Sequence, residues 1–149
     1  MKKLIAPIIL AAALALTGCG GASTAPSGAA ESQAAQVAPK APDLTGDWKQ
    51  SNPNSEKSYQ QATITADTIT VEWVSDGGNT TSIYWVGTFV APTEGGKAHT
   101  WTSQRDKAAT DNALMASSDE TKEFKFEGDT ISYKVSALGT TTTVNLKKK

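Results

Sequence analysis

From Leu44 onward, apolar side chains recur at every second position, which is the period of a strand with one buried face. Ala62 and Ile64, then Ile69, Val71 and Trp73, are interleaved with Thr63, Thr65, Thr70 and Glu72. The break at Ala66-Asp67 predicts a tight hairpin between these two runs. Ser75 to Asn79 contains Asp76-Gly77-Gly78-Asn79 and predicts a second turn, because Gly and Asn adopt positive φ at little cost. The next strand is expected over 80–90. Ile83, Trp85, Gly87 and Phe89 fall on one face and Tyr84, Val86, Thr88 and Val90 on the other, as in a central strand, with a bend or bulge at Gly87.

Pro92 to Lys97 reads as a loop, and the alternation resumes over Ala98 to Ser103. Gln104 to Thr121 interrupts it. There the segment Ala108 to Ala116 has the best helix propensity of the domain, with Thr110 or Asp111 as its expected N-cap. Lys122–Glu127 and Thr130–Ser136 predict a hairpin around Gly128-Asp129, Ala137-Leu138-Gly139 a further turn, and Thr140–Leu146 a last strand. The sum is an all-β antiparallel meander of about seven or eight strands with one short helix or long loop. Such a meander hides its edges best by closing into a small barrel, wholly or in part.

The start of the chain follows another pattern. Met1-Lys2-Lys3 is basic, and an apolar run from Leu4 to Leu16 follows, broken only by Pro7. A membrane-spanning helix needs roughly 20 apolar residues, whereas a signal-peptide core needs roughly 7 to 15. The run ends in Leu16-Thr17-Gly18-Cys19, and this order closely resembles the lipobox of bacterial lipoproteins. The resemblance implies that residues 1–18 are a signal peptide and that Cys19 is the lipidated mature N-terminus. The protein would then be anchored on the extracytoplasmic face of the cell membrane. Gly20 to Pro42 is built of small and polar residues with Val37 the only sizeable apolar side chain, so residues 19–42 read as a disordered tether and 43–149 as one domain.

At the first strand, Gly46-Asp47-Trp48 is similar to the Gly-x-Trp of lipocalins and the wider calycin group. That resemblance implies an up-and-down barrel with Trp48 plugging one end. No second motif of the group, such as a late basic residue aimed at that tryptophan, is identified from the sequence. The Thr-rich strands and the lipid tether also look like the small lipoproteins of Gram-positive bacteria and their prophages. From that likeness comes the expectation of a superinfection-exclusion factor as an alternative function.

Composition narrows the chemistry. Setting aside Lys2 and Lys3, 12 of the 14 basic residues remain against 15 acidic ones, so a nucleic-acid partner is not expected. Lys147-Lys148-Lys149 reads as a solvated tail. Cys19 is the sole cysteine, which excludes an internal disulfide or a cysteine-ligated zinc. No catalytic set assembles: His99 is the only histidine, and neither Ser103 nor Ser117 lies in a nucleophile elbow, with Asp106 the nearest candidate acid. Asp76 to Asn79 has too few oxygens for a calcium loop, and Asp119-Glu120 and Glu127-Asp129 read as solvated turn carboxylates. Neither metal nor cofactor is expected.

Trp48, Trp73, Trp85 and Trp101 are expected to build the core. Some of these rings, with Tyr59, Tyr84 and Tyr133, suit a pocket for a sugar or an amphipathic ligand. Trp101 is expected to be the exposed ring, beside Arg105 in the irregular segment. Trp101, Arg105 and Tyr84 are thus the candidate binding residues. The expected function is a non-enzymatic, membrane-anchored binding module of the cell envelope, its partner a protein, a glycan or a small molecule. A calycin-like carrier or sensor of a small apolar ligand is the alternative.

Overall fold

The computed structural model describes residues 39–137 and 139–149. The lipobox with Cys19, the tether up to residue 38 and Leu138 lie outside the described residues. Eight antiparallel strands form a meander that closes on itself: β1 (Gly46–Gln50), β2 (Tyr59–Ile64), β3 (Thr68–Ser75), β4 (Thr80–Thr88), β5 (Ala98–Arg105), β6 (Thr121–Glu127), β7 (Thr130–Ala137) and β8 (Thr140–Lys148). Because the sheet is a closed barrel, no strand is central. The doubly apolar pattern around β4 has another cause.

That cause is a bulge. Val71 pairs with Trp85 but Glu72 pairs with Ile83, so Tyr84 is an extra residue in β4. Tyr84 and Trp85 are therefore buried side by side, Ile83 is only half-buried, and Val90, which lies beyond the end of β4, is 82% exposed. The irregularity expected at Gly87 thus sits three residues earlier. Gly87 is glycine for lack of room: a Cβ there would meet Ser103 Oγ and would lie 2.5 Å from the Gln104 carbonyl and 2.7 Å from Trp85 Nε1.

Two further expectations are corrected. The helix α1 (Lys107–Thr110) starts earlier than propensity placed it, because Asp106 is the N-cap and its carboxylate accepts the Ala109 amide at 3.1 Å. The chain end is no free tail. β8 runs to Lys148, Trp48 pairs with Lys148 and Lys49 with Lys147, and the Lys149 amide donates to the Asp47 carbonyl at 2.9 Å.

One end of the barrel is shut. Trp48 is buried there, donates its indole N–H to the Leu44 carbonyl at 2.9 Å, and meets Phe126 edge-on with centroids 6.4 Å apart. Above this plug the interior is filled by rings in sequence. Trp101 stacks on Phe124 at 5.5 Å, Phe124 meets Tyr133 at 5.0 Å, Tyr133 lies 6.4 Å from Tyr84, and Tyr84 meets Trp73 edge-on at 5.4 Å. Aliphatic Ile69, Val71, Ile131 and Leu146 close the gaps between them, each fully buried. The series of rings ends at Trp73, near the opposite end.

Candidate binding site at the open end of the barrel

The end opposite Trp48 is formed where β1, β3 and β7 finish and β2, β4 and β8 begin. It opens into a cavity of about 320 Å³. Trp73, Tyr59, Val135 and Val144 supply its apolar wall, and Gln50, Asn54, Ser55, Ser58, Thr140 and Thr142 its polar part. Trp73 is half-buried, held by an indole hydrogen bond of 3.3 Å to the Met115 carbonyl, so one ring lines the cavity from a fixed position. The loop over 51–58 shapes one side. Gln50 Oε1 accepts the Gln60 amide at 2.8 Å, and the Lys57 carbonyl accepts the Gly77 amide at 3.1 Å.

A small polar cluster is buried deeper in the interior. Tyr133 donates its hydroxyl to Gln60 Oε1, while Gln60 Nε2 is buried without a partner among the described residues. Burial raises the Tyr133 phenol well above its usual value, with the Tyr84 phenol adding to the shift, so it stays a neutral donor. Lys122 is buried too. Its ammonium bonds Asp119 at 2.9 Å and lies 5.1 and 5.2 Å from the Tyr84 and Trp85 ring centres. Hydrogen bonds from Lys122 and Ser117 hold the Asp119 carboxyl below the usual carboxylate range.

The residues singled out from sequence are dispersed. Trp101 is only 6% exposed and is sandwiched between His99 and Phe124, so the expectation that it is the exposed ring does not hold. The reason lies in the pleat. The Trp101–Ser103 side of β5 is buried, and what reads as polar there is an interior serine whose Oγ accepts the Trp85 indole at 3.0 Å. Arg105 does not reach outward as a free cation; it binds Asp111 at 2.7 Å and the Ser117 carbonyl at 3.3 Å. Tyr84 is buried behind Trp73. His99 stacks on Trp101, Ser117 Oγ donates to Asp119 at 2.8 Å, and Asp106 caps the helix. Among the described residues, no cluster of three or more His, Cys, Asp or Glu is placed to hold a metal ion.

Of the aromatic residues considered for a pocket, Trp73 and Tyr59 line the open end, with Tyr84 and Tyr133 behind them. Val135 and Val144 carried no sign of this in the sequence beyond their apolar alternation. The buried Gln60 did leave a trace, since it continues the inward series of Ala62 and Ile64 by one more step. Compared with protein-family models, with characterised proteins and with solved structures, the chain matches none.

Proposed function

We propose that the chain is a non-enzymatic binding module, tethered to the extracytoplasmic face of the cell membrane through acylated Cys19, that takes a small amphipathic ligand into the open end of its barrel. The carrying observation is the pairing of a shut end with an open one: Trp48 seals the base, and the opposite end holds a cavity of about 320 Å³ walled by Trp73, Tyr59, Val135 and Val144. Ligand sites are typically concave, mostly apolar and about 300 to 1,000 Å³ in volume. The cavity lies at the lower limit because the aromatic series fills the rest of the interior. A compact ring-bearing molecule fits this reading better than a long acyl chain.

Saturation binding of an amphipathic fluorescent probe, anilinonaphthalene sulfonate, tests it. The full chain should bind at one site, and Thr142→Trp, which plugs the cavity from an exposed rim position, should abolish binding. Undiminished binding by the plugged variant would contradict the reading.

A second reading rests on one observation. Leu114 is wholly exposed and Met115 half-exposed beside Ile83 on the outer surface of the segment between β5 and β6, a patch that favours a protein partner.

A further inference from the structure

The barrel wall has two places at which the ladder between adjacent strands is short. Between β4 and β5 only Gly87–Arg105 and Thr88–Gln104 pair, because the two strands overlap only at their C-terminal ends, and the residues that follow β5 continue along β4. There the Asp106 amide donates to the Val86 carbonyl at 2.8 Å and the Ser117 amide to the Tyr84 carbonyl at 2.8 Å. Between β6 and β7 the ladder runs from Glu127–Thr130 to Phe124–Tyr133 and stops. Thr121–Glu123 remain paired to β5 on their other side, and Lys134–Ala137 to β8 on theirs. Among the described residues, no ladder pair joins these two stretches across the seam.

They bracket a cleft of about 380 Å³, lined by Thr121 and Glu123 from β6 and by Lys134 and Ser136 from β7. Buried Lys122 and Tyr133 also line it, anchored to Asp119 and Gln60 respectively, so the cleft has a fixed inner wall. An unpaired strand edge offers its backbone N–H and C=O groups to any extended chain that arrives in register.

We propose that the β6–β7 seam is a docking site for an extended peptide segment of a partner protein, added as a strand along the Lys134–Ala137 edge. Backbone hydrogen bonds would supply affinity largely independent of sequence, and side-chain contacts the selectivity. Charge indicates the partner's chemistry. Lys122 and Lys125 are neutralised by Asp119 and Glu127, whereas Lys134 on the β7 edge and Glu123 on the β6 edge are exposed and have no ion pair among the described residues, so an added strand meets a cation on its β7 side and an anion on its β6 side. A lysine on an open edge discourages pairing with a second identical edge and favours an acidic side chain beside it. This site is separate from the cavity walled by Trp73 and Tyr59.

The test is amide hydrogen exchange of the full chain with a synthetic peptide that alternates Val with Thr and carries one Glu. With peptide present, the seam-facing amides of Thr121–Glu123 and Lys134–Ser136 should slow by about tenfold or more. The same peptide N-methylated at alternate amides should give no protection. Lys134→Glu should weaken binding by about threefold and favour a peptide with Lys in place of Glu. Equal protection by the N-methylated peptide, protection confined to Tyr59 and Trp73, or none at millimolar peptide would overturn the proposal.

Discussion

Lys148 Nζ lies 5.9 Å from the Trp48 ring centre and donates to the Asp43 carbonyl at 3.2 Å, joining the last strand to the first across the shut end of the barrel. Its stem lies so close to Gly46 that a Cβ there would be 3.1 Å from Lys148 Cε, and Gly46 also has φ of 117°, a conformation that excludes most side chains. Gly46, Trp48 and Lys148 therefore form one unit.

From this unit a contrast in stability follows. Trp48→Ala should destabilise the domain by roughly 3 to 5 kcal/mol, because strands paired on both sides cannot close the space that the indole leaves. Lys148→Ala should cost about 1 kcal/mol or less, since its ammonium is exposed. Urea denaturation of both variants checks this. A near-native midpoint for Trp48→Ala would place the structural weight elsewhere.

Acid should loosen the region around Lys122. The Asp119 carboxyl is held below its ordinary value in the folded protein, so its contribution to stability is present above about pH 4 and is lost as pH falls through the depressed value. Protonation leaves the buried Lys122 ammonium without its carboxylate. Asp119→Asn should therefore flatten the acid limb of a plot of melting temperature against pH, and an unchanged limb would contradict the assignment.

Residues before β1 should matter unequally. Gly95 has no room for a Cβ because the Pro39 carbonyl lies against it, and Ala41 and Pro42 are half-buried, so ordered packing begins ahead of the expected boundary at Asp43. Deleting residues 20–38 should leave the melting temperature unchanged, whereas deleting 20–42 should lower it by a few degrees. Equal melting temperatures for the two deletions would show that residues 39–42 contribute nothing.

Cys19→Ser should move the protein from the membrane fraction to the soluble one, since stable anchoring takes more than one buried acyl chain and none would remain. Sedimentation after a high-salt wash reads the outcome. A serine variant that still pellets would refute the lipid anchor.

The architecture could be read from the sequence because it depends on a period of two that most strands keep, as in Ala62–Ile64, Ile69–Trp73 and Ile131–Val135. Positions where the period changes meaning could not. Tyr84 is buried by a bulge that alternation does not encode, and Trp101 points inward although its neighbours are Thr100 and Thr102. The cavity combines residues from β1, β2, β3, β7 and β8 with a loop, a closure that depends on register rather than on any motif. Lys147 and Lys148 read as tail because charge suggests solvent, yet Lys147 takes an outward strand position and Lys148, on the face of Val144 and Leu146, lies over the Trp48 ring at the end of the barrel.

The ligand site at the open end is tested most directly with the four indole N–H groups as position markers in one heteronuclear NMR spectrum. Trp73 lines the open end, Trp48 plugs the base, Trp85 is bonded to Ser103, and Trp101 lies stacked on Phe124 in the interior. On titration with anilinonaphthalene sulfonate, the Trp73 indole resonance should shift progressively to saturation while those of Trp48, Trp85 and Trp101 stay within a small fraction of that change. A shift centred on Trp48 or Trp101, or saturable binding that leaves Trp73 unmoved, would contradict a ligand site at the open end of the barrel.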